Sequence, residues 1–269
     1  MDNRNNMTME EVHGVILKIM KKFHAYCKKY NLRYVMMYGT LLGAVRHKGF
    51  IPWDDDLDVG MPRPDYERFL ELVSKIPISS ELVMAHHSTD SNYCYSFPRI
   101  YDKSTKSDFS YLRKPLKGMG CWIDIFPIDG VPYSRYGFLM QWVKRNYYRK
   151  LNTINLYGTR WTKTRFRATV KEVLLQIYPF KDLLKKIDKL CKLYTYEDSC
   201  FVREVYCAKK VTMFRKSDID YPILMRFEEE KFWAPRNSEI YLKRIYGENY
   251  MELPPIDKRR PHTKYEWVR

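Results

Sequence analysis

Apolar residues Val12, Val15, Ile16, Ile19, Phe23 and Cys27 recur at helical spacing. Thr8 and Glu11 stand ahead of them as a capping-box pair, so the chain opens with an amphipathic helix. Residues 64–74 read as a second helix, with proline in its first turn and Tyr66, Phe69, Leu70 and Val73 on one face. Runs of β-branched, aromatic and long apolar residues at 33–38, 82–85, 93–100 and 119–126 predict strands. Beyond Pro132 the period becomes helical at 136–151, 164–178 and 181–194. Near the end, Asn237 or Ser238 can cap a helix that Gly247 ends. The mixed order predicts an α+β fold in three parts. These are a core at 1–132, a basic, aromatic helical insertion at 133–210, and a segment at 211–269 that returns to the core.

Acidic residues break this pattern at two places. Asp56-Leu57-Asp58-Val59 places two carboxylates at i and i+2, on one face of a short strand. Facing one cavity, such a pair is costly unless a cation lies between its members. The plainer reading of Asp54-Asp55-Asp56 is a solvated acidic turn. Asp124 lies inside the apolar run Trp122-Ile123-Asp124-Ile125-Phe126, where burial without a partner costs several kcal/mol. It serves either as a third ligand of the same cation or as a cap or arginine partner. Gly39-Thr40 separates a strand from a helix start, a place where free backbone N–H groups hold phosphate. Arg46 ends that helix, and its planar fork suits two phosphate oxygens better than Lys48 does. Arg99 is either a further phosphate contact or a salt-bridge partner.

Three blocks resemble one family. They are GTLLGAVRHKGFIPWDDDLDVGMPRPDYERF at 39–69, WIDIFPIDG at 122–130 and YGENYMELPP at 246–255. In this order they resemble the LicD family of phosphotransferases, relatives of the fukutin group, within the nucleotidyltransferase superfamily. No family motif is evident between 134 and 238. The resemblance implies a nucleotidyltransferase-like mixed sheet flanked by helices. It also implies a Gly-Thr turn at Gly39 and Thr40 that binds donor phosphates, beside which Arg46 is a candidate from its own chemistry, and a metal-holding catalytic set of Asp56, Asp58 and Asp124. The superfamily's commoner pair is Gly-Ser, and threonine keeps the hydroxyl. The implied ion is Mg²⁺, with Mn²⁺ as the alternative, and Asp124 is the residue expected to draw the acceptor's proton. The implied reaction moves phosphocholine, or a similar phospho-alcohol, from a cytidine diphosphate-linked donor to a cell-surface glycan or its lipid-linked precursor. Two other readings stand beside it. One is a nucleotidyltransferase that adds a nucleoside monophosphate to a small molecule. The other is an RNA-binding module, for which the chain shows no RRM, KH or helix-turn-helix signature.

Charge adds a partner class. The 269 residues carry a formal net charge of +16, which calls for an anionic nucleotide, membrane or nucleic acid. Lys144, Arg145, Arg149, Lys150, Arg160, Lys163, Arg165, Arg167 and Lys171 are interleaved with Trp142, Tyr147, Tyr148, Trp161 and Phe166. That mixture suits peripheral contact with an anionic membrane, with a plain solvated helix face as the alternative. No specific nucleic acid is expected. Residues 1–6 lack the apolar core of a signal peptide, and no run approaches the ~20 apolar residues of a membrane span. The six cysteines form no CxxC pair and are expected as free thiols. A cytoplasmic protein at the inner membrane face is the resulting expectation. With 23 tyrosines and 6 tryptophans, aromatic residues near any site are unsurprising, so no choline cage is assigned.

Overall fold

The computed structural model describes residues 6–90, 92–158, 164–177, 179–206, 212–261 and 263–268. In chain order the first elements are α1 (Met9–Lys29), β1 (Val35–Met36), α2 (Tyr38–Arg46), β2 (Leu57–Pro62), α3 (Arg63–Lys75) and β3 (Leu82–Ala85). Next come β4 (Arg99–Asp102), β5 (Thr105–Ser107), β6 (Trp122–Gly130), α4 (Arg135–Tyr157), α5 (Arg165–Ile177), α6 (Phe180–Cys191) and β7 (Phe201–Arg203). The chain finishes with β8 (Phe214–Arg215), α7 (Lys216–Asp220), β9 (Ile223–Phe227), β10 (Glu230–Ala234), α8 (Ser238–Tyr246) and β11 (Tyr265–Trp267).

The fold is α+β and nucleotidyltransferase-like. Its principal sheet runs β1-β2-β6-β4-β3, with β7 on β6 and β8 on β7. Strands β2 and β6 are parallel, and the other pairs of this sheet are antiparallel. Every residue of β6 is buried, as a central strand covered on both faces requires. Pro127 has no N–H to give a ladder. It falls in the gap between the β4 pairing, which ends at Asp124, and the β7 pairing, which begins at Asp129. Helix α1 caps itself with Thr8 and Glu11 as its sequence predicts, and buries Val12, Ile16, Ile19, Met20, Phe23, Tyr26 and Cys27 in the main core. A second, smaller core joins Leu151 of α4, Leu183, Leu184, Ile187 and Cys191 of α6, and Val205 and Tyr206 after β7.

Two predicted strands are shorter than expected. Of 33–38, only Val35–Met36 pairs, because Tyr38 takes a positive φ of 45° and starts α2 at once. Gly39 and Thr40 therefore belong to the first turn of α2 and not to a turn before it. Of 93–100, pairing starts only at Arg99, since Pro98 has no N–H to donate; its carbonyl instead accepts from the Ile125 amide at 3.1 Å. Among the described residues of 133–210, three helices lie near the predicted positions, and β7 from the same stretch joins the main sheet. Cysteines 27, 94, 121, 191 and 200 are free thiols. Cys207, and Arg160, Trp161 and Lys163 of the basic aromatic set, lie outside the described residues.

Buried His86 sets an acid limit on this fold. Its Nδ1 lies 2.7 Å from the Ser88 hydroxyl. Burial first, then neighbouring His87, pushes its pKa down to about 3. In the unfolded chain an imidazole titrates near 6.5, so the folded state binds fewer protons below that value. The stability held at neutral pH is accordingly lost as pH falls from about 6.5 toward 3. Urea unfolding at pH 7 and pH 5 will show a larger loss for the wild type than for His86→Gln; equal losses refute this.

Candidate active site

The acid strand is placed by α2. Thr40, at the buried side of that helix, accepts the Asp58 amide through its hydroxyl at 2.6 Å, and the Met37 amide donates to the Asp58 carbonyl at 2.9 Å. Asp58 is thus fixed from both sides of its peptide. Gly39 leaves room that a side chain would fill, since a Cβ there would lie 2.5 Å from Asp54 Oδ2. Along 54–58 the chain alternates as an extended segment should. Asp54, Asp56 and Asp58 are half-buried, while Asp55 turns inward, fully buried, and accepts the Thr263 amide at 2.9 Å. Asp54–Asp56 is therefore not a solvated run, and Asp55 ties the C-terminal segment to the site.

Parallel pairing sets Asp58 beside Asp124 on β6. Carboxylate oxygens of Asp56, Asp58 and Asp124 all lie within 4.8 Å of one another. Burial first, then the charges of Asp56, Asp124 and Asp54, holds the Asp58 carboxyl well above the usual range. Three hard oxygen donors that repel one another at this spacing fit a divalent cation such as Mg²⁺. Asp124 is buried and also pairs with Arg99, whose Nε donates to Oδ1 at 2.6 Å. The guanidinium carbon sits 4.1 Å from the Tyr95 ring centre and 4.3 Å from that of Trp122. Of the two readings of Arg99, the salt bridge is the one observed. Asp124 is an arginine partner, and its carboxylate also lies within 4.8 Å of the other two acids.

In front of the acids lies an open cleft of about 850 Å³. Gly39, Arg46, Trp53, Asp54, Asp56 and Asp58 form one side of it, and Tyr246, Tyr250, Glu252, Lys258 and Arg260 the other. Thr40 and Asp124 stand behind the wall. Arg46 Nη1 donates to the carbonyls of Tyr250 at 3.2 Å and Glu252 at 2.9 Å, so it joins α2 to the 246–255 block while lining the cleft. Lys258 and Arg260 follow that block directly and were not singled out by sequence; basic residues next to a motif rich in proline and tyrosine were the signal. Tyr38, also in the wall, points its hydroxyl to Glu204 at 3.4 Å. A positive φ at a bulky residue beside a cleft is a feature that sequence gives no means to read.

The family described as LicD/FKTN/FKRP, nucleotidyltransferase domain, matches residues 31–157. The lipopolysaccharide cholinephosphotransferase LicD of Haemophilus influenzae is 29% identical over 262 residues, 95% of this chain and 96% of that protein. Uncharacterized proteins of Rickettsia typhi and Rickettsia prowazekii are 45% and 50% identical over shorter segments, 22% and 19% of this chain and 19% of each relative. Residues 31–157, the stretch that matches the LicD/FKTN/FKRP nucleotidyltransferase domain, contain the whole acid cluster and Arg99.

Proposed function

We propose that this protein transfers phosphocholine from cytidine diphosphate-choline to a lipopolysaccharide-type glycan, or to its lipid-linked precursor, at the cleft in front of Asp56, Asp58 and Asp124. Its LicD domain and its likeness to a named cholinephosphotransferase make it a phosphotransferase enzyme. The observation that carries the reading is the convergence of three carboxylates, Asp58 and Asp124 from the parallel strands β2 and β6 and Asp56 from the residue just before β2. Asp56, Asp58 and Asp124 would hold Mg²⁺, or Mn²⁺ in its place. When bound, the ion neutralises the donor's diphosphate and orients it for displacement.

The chain's own residues do the rest. Arg46, Lys258 and Arg260 put positive charge on the cleft wall, where it draws the donor's phosphates. The acceptor hydroxyl oxygen bonds to the choline-bearing phosphorus, and the bond from that phosphorus to the bridging oxygen breaks. Cytidine monophosphate leaves with the bonding electrons. The hydroxyl proton passes to a carboxylate in the cleft wall, Asp54 or Asp56. Asp124 lies behind the wall against Arg99, which suits a ligand better than a base. Thr40 supports the acid strand through its hydroxyl, and Gly39 supplies the close approach. Among the described residues no helix is long and apolar enough to cross a membrane. We place the enzyme at the cytoplasmic face of the membrane that carries the acceptor.

The test is incubation with Mg²⁺, cytidine diphosphate-choline and a lipopolysaccharide acceptor. Cytidine monophosphate is expected in solution, with a phosphocholine mass added to the glycan. A product that retains the nucleotide establishes nucleotidyl transfer instead. An RNA-binding module leaves the acid cluster unexplained.

A further inference from the structure

Helix α4 is amphipathic in the reverse sense. Its inward positions include Gln141, Arg145, Asn152 and Asn155, all buried, with Arg145 donating to the Tyr206 carbonyl. Its outward stripe is Tyr136, Leu139, Met140, Val143 and Tyr147, spaced i, i+3, i+4, i+7 and i+11, and every one of them is exposed. Helix α5 packs beside α4 and likewise exposes an apolar row, while Leu174 packs against the second core. Phe166, Val170, Val173 and Ile177 form its exposed row, and Phe166 is 78% accessible. Two adjacent helices thus each offer water an apolar stripe, which a solvated helix face does not do.

Charge decides the occupant. Residues 135–177 contain ten Lys or Arg, of which Arg145 alone among the described residues is buried, and a single acid, Glu172. Lys144 and Lys150 fall at the margins of the α4 stripe, and Arg167 is exposed on α5. A second copy of this chain on the same face would bring like charges together. RNA would leave the aliphatic rows unused. A surface of anionic lipid accepts both, with apolar side chains at the headgroup–acyl boundary and Lys or Arg against lipid phosphates. We infer that α4 and α5 form a membrane-docking face for anionic bilayers. This holds whatever reaction the cleft performs.

Flotation of the full chain with vesicles tests it. The wild type will float at low salt with phosphatidylcholine–phosphatidylglycerol vesicles and not with phosphatidylcholine alone. Leu139→Ser/Val143→Ser/Phe166→Ser, all at exposed positions and checked for folding by circular dichroism, will stay at the bottom. Lys144→Gln/Lys150→Gln will partition on the order of 25-fold less, from about fivefold per cation near the surface. Three results overturn the inference. They are a wild type that remains unbound to anionic vesicles, a triple serine variant that floats like the wild type, or a dimer seen by light scattering that the triple variant abolishes while neither protein floats.

Discussion

Asp58→Asn will lower the transfer rate about 10²–10³-fold while raising the stability of the protein in chelator. The rate falls because a ligand is lost where charge must be neutralised, an effect of several kcal/mol. Stability rises because the change removes one of three negative groups held within 4.8 Å. At an effective dielectric near 20 each such repulsion is worth up to about 3 kcal/mol, so a net gain of about 1–3 kcal/mol is expected. The dependence on pH follows from Asp58, whose folded pKa lies well above the ordinary value, chiefly through burial and then through its neighbours. Its folded form holds the proton more tightly than the unfolded chain, which titrates near 3.9. That stabilising contribution is complete below the unfolded value and is lost as pH rises through the folded one. In chelator, the wild-type melting temperature minus that of the asparagine variant should therefore be lower at neutral than at mildly acidic pH, a difference in which the opposing His86 contribution cancels. Added Mg²⁺ should raise the wild-type melting temperature at neutral pH and the variant's far less. Thermal melts with chelator or Mg²⁺ read all of this; a variant that melts below the wild type in chelator at neutral pH contradicts it.

The parts of this architecture that were legible are those that local rules control. The facing of Asp56, just before β2, and Asp58 on it follows from the period of two, and α1 from its capping box and apolar stripe. Boundaries failed where one residue outweighed a favourable run. Tyr38 turns the chain left-handed and cuts β1 short, and Pro98 delays β4. Pairing across the sheet was legible only as a choice. Sequence offered Asp124 an arginine or a cation, and it named Arg99 separately, but the antiparallel register that sets Arg99 opposite Asp124 is a property of the assembled sheet. Arg145 makes the same point in reverse. It was counted in a basic surface, yet it is 1% exposed, because α4 turns its polar side inward. Nothing in a helical period tells which face meets the core when the usual hydrophobic rule is inverted.

Arg99→Met will be among the most destabilising single changes, by about 3–5 kcal/mol, because it leaves Asp124 as a buried charge without its arginine. For a chain of this size that corresponds to a fall in melting temperature of roughly 10 °C. The cause is separable from lost packing. Arg99→Met/Asp124→Asn removes both charges and should recover much of the loss, since a buried pair taken out together costs little. Mg²⁺ should also raise the melting temperature of Arg99→Met, as a cation beside Asp124 would take over part of the arginine's work. Arg99→Lys isolates the geometry. Lysine keeps the charge but not the flat group that lies between Tyr95 and Trp122 and reaches Oδ1 through Nε and Oδ2 through Nη2. Asp124 then loses its fixed orientation, and activity at limiting Mg²⁺ should drop about 10–100-fold, as for other residues that orient a ligand. Saturating Mg²⁺ should restore part of it. Equal activity of Arg99→Lys and wild type at every Mg²⁺ concentration would show that Arg99 holds the core together and does not position the site.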